Sequence, residues 1–301
     1  MPLPRYILLT LTLTISMVTA HESPEHNIQQ LTAHIESDRT PALLFQRAIA
    51  YRALGRLENA TSDLVEAITL APDNLGYQLE LCRTQLAQSH LDKALNTANH
   101  ALHLADTASQ RAACHMLRAE TYHRSNRPKP SLQACQLAFR EIPEGEIEWY
   151  LMRSANQLIL GKHKQRIADL KAGHTHHHSA VLKEHWIDAI IDSSDFKTAL
   201  PLVESELSDR RWKSSWLIKR ARALQGLQRD AEASADLHAA LAEINARLIP
   251  SRPDPLLLAD QGLVHVLLGD HASAQVSLKK LLQINAPAWL TARLEAVIIK
   301  K

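Results

Sequence analysis

The sequence predicts an all-α protein built from repeated helical hairpins, and three observations carry that prediction. Glycine is scarce, with 8 among 301 residues, while alanine and leucine are abundant, a composition that favours helix. Runs of β-branched and aromatic residues bounded by turn signals, the mark of strands, are missing. One pattern also recurs: "RAIAYRALGRLENATSDLVEAITLAPDN" from Arg47 is echoed by "RSANQLILGKHKQRIADLKAG" from Arg153, "RARALQGLQRDAEASADLHAALAEIN" from Arg220 and "DQGLVHVLLGDHASAQVSLKKLLQIN" from Asp260. Each copy reads as two amphipathic helices joined by a tight turn, and self-similarity of this kind marks a repeat architecture.

Taken in chain order, residues 1–20, "MPLPRYILLTLTLTISMVTA", read as a secretory signal. Arg5 supplies the early positive charge and an apolar run follows to about Val18. Small residues stand at the cleavage position after Ala20, and polar "HESPEH" comes next. The apolar run is short for a membrane span, which needs about 20 such residues. The mature chain is therefore expected to be exported, periplasmic or extracellular, with no stable membrane insertion after cleavage. Residues 21–40 contain "SPEHNIQQLTAHIES", read as an N-terminal capping helix with Ser23 as N-cap and Pro24 in the first turn.

From residue 41 the chain resembles the tetratricopeptide repeat family, whose helix-turn-helix unit is about 34 residues long. Ala48, Tyr51, Gly55, Ala60, Leu64, Ala67 and Pro72 fall on that family's signature positions. Further units start at 75 and near 112, 147, 180, 214 and 255. The second carries Cys82, Ala94, Ala98 and Ala101, and the third Ala119, Tyr122, Ser131, Cys135 and Ala138. The sixth carries Trp216, Ala221, Ala233, Leu237 and Ala240, and the seventh Gly262, Gly269 and Ala274. Two units depart from the pattern. Arg166 stands where a small residue is wanted in the fourth, and the fifth keeps Ala199 and little else. The resemblance covers about 41–288 and implies a right-handed α-solenoid of about seven repeats. Neighbouring units then bury each other's faces along one continuous core. Residues 289–301 complete the chain as a C-terminal capping helix, with apolar spacing at Leu290, Leu294 and Val297.

Arginine and aspartate recur together within the repeats. Arg47 and Asp63, Arg153 and Asp169, and Arg220 and Asp236 are each sixteen residues apart in units one, four and six. In a helical hairpin that spacing brings one residue from each helix together. These pairs are read as structural clasps rather than ligand contacts, because a ligand would rarely ask for the same pair three times. Cys82, Cys114 and Cys135 lie among apolar helical residues without close CxxC spacing, and are read as core thiols. One disulfide, Cys114 with Cys135, is the alternative if the geometry permits it.

The formal net charge is only +2, which excludes strong attraction to nucleic acid or an anionic membrane. The 17 histidines would make the chain distinctly cationic below about pH 6. Five lie in "GHTHHHSAVLKEHW". Gly173 is expected to end a helix there and Ser179 to cap the next, leaving His174, His176, His177 and His178 in an exposed turn with His185 further on. The tract matches no defined zinc motif. No cofactor is expected beyond weak transition-metal binding by these five histidines.

By the same resemblance, the first helices of the units line a groove. Glu184, Asp188 and Asp192 form an acidic stripe at four-residue spacing in unit five. Glu120, His123 and Arg124 join from unit three, and Arg222 from unit six. The Lys and Asn positions with which chaperone-binding members clamp a C-terminal carboxylate hold Phe45, Ile49 and Gly76 instead, so that activity does not carry over. No nucleophile triad, phosphate loop or paired-carboxylate cleft stands out. The expected function is a non-catalytic scaffold that binds a protein or peptide partner through its groove. The alternative is a metal- or pH-responsive protein using the His-rich segment 174–178.

Overall fold

In the computed structural model, residues 24–208 and 210–299 are described; they form sixteen α-helices and no strand. The signal reading of residues 1–20 and the N-cap role of Ser23 lie outside the described residues. Two compact units divide at Ser125 and Asn126. The first holds α1 (Pro24–Ser37), α2 (Pro41–Ala53), α3 (Leu57–Leu70), α4 (Leu75–Ala87), α5 (Leu91–His103) and α6 (Ala108–Arg124). The second holds α7 (Pro128–Glu141), α8 (Ile147–Ile159), α9 (His163–His177), α10 (Ala180–Asp192), α11 (Phe196–Leu207), α12 (Ser214–Gly226), α13 (Asp230–Arg247), α14 (Pro255–Leu267), α15 (His271–Gln283) and α16 (Ala288–Ile299). No helix among the described residues is long and apolar enough to cross a membrane.

The helices start where side chains can hold the orphan backbone donors of a first turn. Thr40, Asn74, Ser179 and Asp254 each accept a backbone N–H at the head of α2, α4, α10 and α14. Thr107 does the same for α6 and forms a capping box with Gln110. That box starts the third repeat at Ala108, four residues before the register near 112. Inside the repeats the turns are tight, and each contains one residue with left-handed backbone. These are Gly55, Ser89, Asn126, Gly161, Ser194, Gln228 and Gly269, with φ between 54° and 82°. Only three of the seven are the glycine that this conformation favours.

Helix pairs close on small residues. Ala48, Ala60, Ala67, Ala94, Ala98 and Ala101 in the first unit are fully buried, as are Ala199, Ala221, Ala233, Ala240 and Ala274 in the second. In each unit the first helices of successive repeats touch one another: α2, α4 and α6, then α8, α10, α12, α14 and finally α16. The backbones of the second helices do not approach one another as closely. The first helices therefore form the tighter, inner layer of each stack. Against α14, the helix α16 comes so close that a Cβ on Gly262 would meet Leu294 Cδ2 at 2.5 Å.

Cys82, Cys114 and Cys135 are free and buried, so the alternative of a disulfide between the last two is not realised. Burial pushes the thiols up, to about 12 for Cys82 and Cys135 and about 11 for Cys114. They are unreactive core groups.

Candidate functional site

Each of the three Arg–Asp pairs bridges the two helices of its own repeat. Arg47 grips Asp63 through two hydrogen bonds, both 2.8 Å. Arg220 holds Asp236 the same way, at 2.7 and 2.6 Å. Arg153 lies 3.1 Å from Asp169, but its Nε is not aligned for a hydrogen bond. Instead Gln157 donates to Asp169 at 2.6 Å, and the Arg153 guanidinium sits 3.8 Å over the ring of Phe139. Burial pulls Arg153 below its ordinary pKa.

The acidic stripe of α10 is present, but it is already neutralised from within the chain. Lys219, only 8% exposed, donates to both carboxylate oxygens of Asp188, at 2.7 and 2.8 Å, and lies 3.3 Å from Glu184. Asp192 accepts from Arg166 at 2.7 Å and from Arg222 at 2.9 Å. Burial works against the Asp192 carboxylate, yet these two hydrogen bonds overcome it and hold its pKa below the usual value. Asp188, Asp192 and Arg222, expected as partner-binding groups, thus spend their charge within the chain, while Glu184 keeps 44% of its side chain exposed. A charge removed from water is kept ionised only by a counter-charge, and α9 and α12 supply it. In the first unit, Arg124 pairs with Glu120 at 2.7 Å and donates to the Leu86 carbonyl at 3.0 Å. Those two groups tie α6 to itself and to α4. His123 is half-buried beside them on α6.

The histidine tract is not a turn. The helix α9 continues through it to His177, and His178 takes the left-handed cap at φ 49°. Gly173 does not end the helix because it is needed elsewhere. A Cβ there would strike the Tyr150 ring at 2.7 Å. The His176 and His177 rings meet edge to face with centroids 4.6 Å apart, while His174 turns to a different neighbour and His178 is exposed. The Nδ1 of His174 lies 3.0 Å from the Ser179 carbonyl, and its ring stacks on Trp186. The Nε2 of His177 lies 2.8 Å from the Gly145 carbonyl. His176 approaches Glu144 at 3.7 Å. His185 is on α10 and faces the cavity described next. No group of three or more His, Cys, Asp or Glu side chains suited to a metal ion occurs among the described residues. The five histidines therefore do not converge as one ligand set.

A cavity of about 400 Å³ opens on the inner layer of the second unit, between α10, α12, α14 and α16. Ile218, Leu263, Leu294 and Val297 give it apolar walls, and Trp289 stands at its rim, 60% exposed. Glu184, Asp188, Lys219 and Arg222 border it but are occupied with one another or with Asp192. His185 is exposed, yet partial desolvation lowers its pKa, against the pull of Asp188 and Glu184. The remaining acid is Asp260 on α14. It makes no hydrogen bond or ion pair with any described residue. Burial raises its pKa to about 6, with Arg293 and Lys219 only partly opposing the shift. The sequence gives Asp260 no distinction, since it looks like any polar residue of an amphipathic helix. Its neighbours come from positions 41 residues before and 33 residues after it (260 − 219 and 293 − 260).

Residues 41–74 match the family model of the tetratricopeptide repeat. Among solved structures, a tetratricopeptide repeat protein from Parabacteroides merdae aligns with a TM-score of 0.65 at 17% identity, covering 87% of this chain and 99% of that one. The Cut9–Hcn1 hetero-tetramer of the APC/C aligns with a TM-score of 0.50 at 14% identity, covering 92% of this chain and 53% of that one. At these identities the likeness is one of fold. The chain has an all-α helical-repeat solenoid fold. No curated protein matches it in sequence.

Proposed function

We propose that the chain is a non-catalytic scaffold that binds a protein or peptide segment against the inner helices of its second unit, and that it works after export, in the periplasm or outside the cell. The observation that carries the reading is the cavity between α10, α12, α14 and α16, where an unpaired carboxylate sits among apolar walls. A half-buried, unpaired carboxylate in a cleft costs stability, and such groups cluster at functional sites. The mixed apolar and charged lining suits recognition of a side chain or segment. The reading requires no cofactor. The metal-responsive alternative is the weaker reading, because among the described residues no group of three or more His, Cys, Asp or Glu side chains is suited to a metal ion.

A photo-crosslinking residue at position 289, on the cavity rim, should capture a polypeptide partner in cells. The same residue at exposed position 238, on the outer helix α13, should not. Capture at both positions, or at neither, would overturn the groove reading. For location, a chain lacking residues 1–20 should be retained inside the cell, and equal export of that chain would overturn it.

A further inference from the structure

We propose that the cavity between α10, α12, α14 and α16 is a subsite for one lysine or arginine side chain of the bound segment, with Asp260 as its counter-charge. The inference rests on the groove reading above and names what the groove selects.

The assignment follows by elimination of charge. Lys219 lies between Glu184 and Asp188, and Arg222 is held by Asp192. Arg166, which also holds Asp192, brings this set to three acids and three bases, and it leaves Asp260 without a hydrogen bond or ion pair among the described residues. Arg293 is likewise without an ion pair, but its side chain is exposed and keeps its water. Asp260 is half-buried and so the less solvated of the two, and it gains more from an incoming opposite charge. An incoming anion would have to face that carboxylate at short range.

The walls specify the rest of the ligand. Leu263, Leu294 and Val297 form an apolar side, and Trp289 offers a largely exposed ring at the mouth. A lysine or arginine carries a charged head on an aliphatic stem that packs along apolar surface. Its head can also pass over an aromatic face. A bare inorganic cation would leave those walls unused. A cavity of about 400 Å³ is of the size that holds a small organic group rather than a whole folded surface.

The test is a selection of random dodecapeptides on the full chain, followed by binding measurements on the selected peptides. Enriched peptides should carry a lysine or arginine beside apolar residues. Replacing that lysine by norleucine, which keeps the stem and removes the charge, should weaken binding at least tenfold. In Asp260→Asn the norleucine penalty should vanish, which a mere folding defect would not produce. Arg293→Ala should tighten the lysine peptides, because it removes the nearest competing cation. Peptides that lose binding in Trp289→Ala yet show no preference for a basic residue would overturn the Asp260 subsite and leave the groove reading standing. Selected peptides indifferent to Trp289→Ala, or a selection that yields none, would overturn both.

Discussion

Arg166 on α9 donates from Nη1 to Oδ2 of Asp192 on α10 at 2.7 Å, although Arg166 stands where the repeat pattern wants a small residue. Arg166 is 5% exposed and also donates from Nε to Ser154 at 3.0 Å. The misfit in unit four and the acid in unit five are thus one feature. A long cation fills the space that an alanine would leave, and the next repeat provides its counter-charge.

Asp192→Ala is therefore expected to destabilise the chain by about 3 kcal/mol, because it strands a buried guanidinium. Arg166 and Asp192 together replaced by apolar residues of similar volume should cost much less. Because the folded pKa of Asp192 is held below its ordinary value, its contribution is present above the unfolded carboxylate pKa, near 3.9. It is lost as pH falls through the lower folded value. Urea melts of the wild type and of Asp192→Ala between pH 7 and pH 3 check this; a gap that stays constant to pH 3 would contradict it.

The three Arg–Asp clasps are not equal. Asp63 faces a shielded Arg47, whereas Arg220 is about one-third open to solvent. Asp63→Ala should therefore cost about 3 kcal/mol and Asp236→Ala distinctly less. Glu232, paired with Arg229 at 2.6 Å on an exposed face, should change nothing measurable when replaced. Chemical denaturation of the three variants gives the ranking directly, and equal losses would refute it.

What the sequence made legible follows from how local each signal is. The hairpins were readable because helix approach demands small residues at fixed spacing, and Ala48, Ala60, Ala94 and Ala98 are buried where that demand falls. The Arg–Asp clasps were readable for the same reason, since both partners lie within one repeat. The left-handed residue was not readable at four of the seven inner turns, since Ser89, Asn126, Ser194 and Gln228 adopt that conformation without being glycine, although the repeat from Arg220 did place a turn in its hairpin. The acidic stripe was visible but its partners were not. Asp188–Lys219 and Asp192–Arg222 span 31 and 30 residues, and Arg166–Asp192 spans 26. Opposite charges separated by slightly less than one repeat are the signal that would have found them. At the histidine tract the glycine signal misled, since Gly173 is required for a close approach to Tyr150 rather than for a helix end.

Gln228→Gly should stabilise the chain by roughly 0.5–1 kcal/mol, because Gln228 sits at φ 61° and glycine removes the steric cost of that backbone. Gly55→Ala, at φ 72°, should lose a similar amount. Thermal melts of the two variants should move in opposite directions, and movement in the same direction would contradict the turn account.

His177→Ala removes the contact to the Gly145 carbonyl and the edge contact to Tyr150. A loss of about 1 kcal/mol is expected, with no requirement for metal. Titration of the wild type with Zn²⁺ should give no single tight site, since four ligands at about 2.0–2.3 Å are needed and no group of three or more suitable side chains gathers among the described residues. A stoichiometric site that disappears in His177→Ala would overturn this.

Asp260 gives the sharpest pH prediction. Its carboxyl titrates near 6 in the folded chain, against about 3.9 when unfolded. The folded state therefore holds the proton more tightly, and stability falls as pH rises from about 4 through 6. The surroundings act in both directions, with Arg293, Lys219 and Arg247 favouring ionisation and Glu184 opposing it, but burial dominates. The Asp260→Asn variant cannot ionise, so it escapes the penalty. It should be more stable than the wild type at pH 7.5, by roughly 1–3 kcal/mol, and should lose that advantage below about pH 4. A bound cationic side chain would cancel the same penalty in the wild type alone. Lysine-bearing peptide should therefore raise the wild-type melting temperature at pH 7.5 and leave Asp260→Asn almost unmoved. Melting curves at the two pH values, with and without peptide, measure both effects on the same samples. An Asp260→Asn variant that is less stable than the wild type at pH 7.5 would show that the carboxylate is paired rather than waiting for a partner.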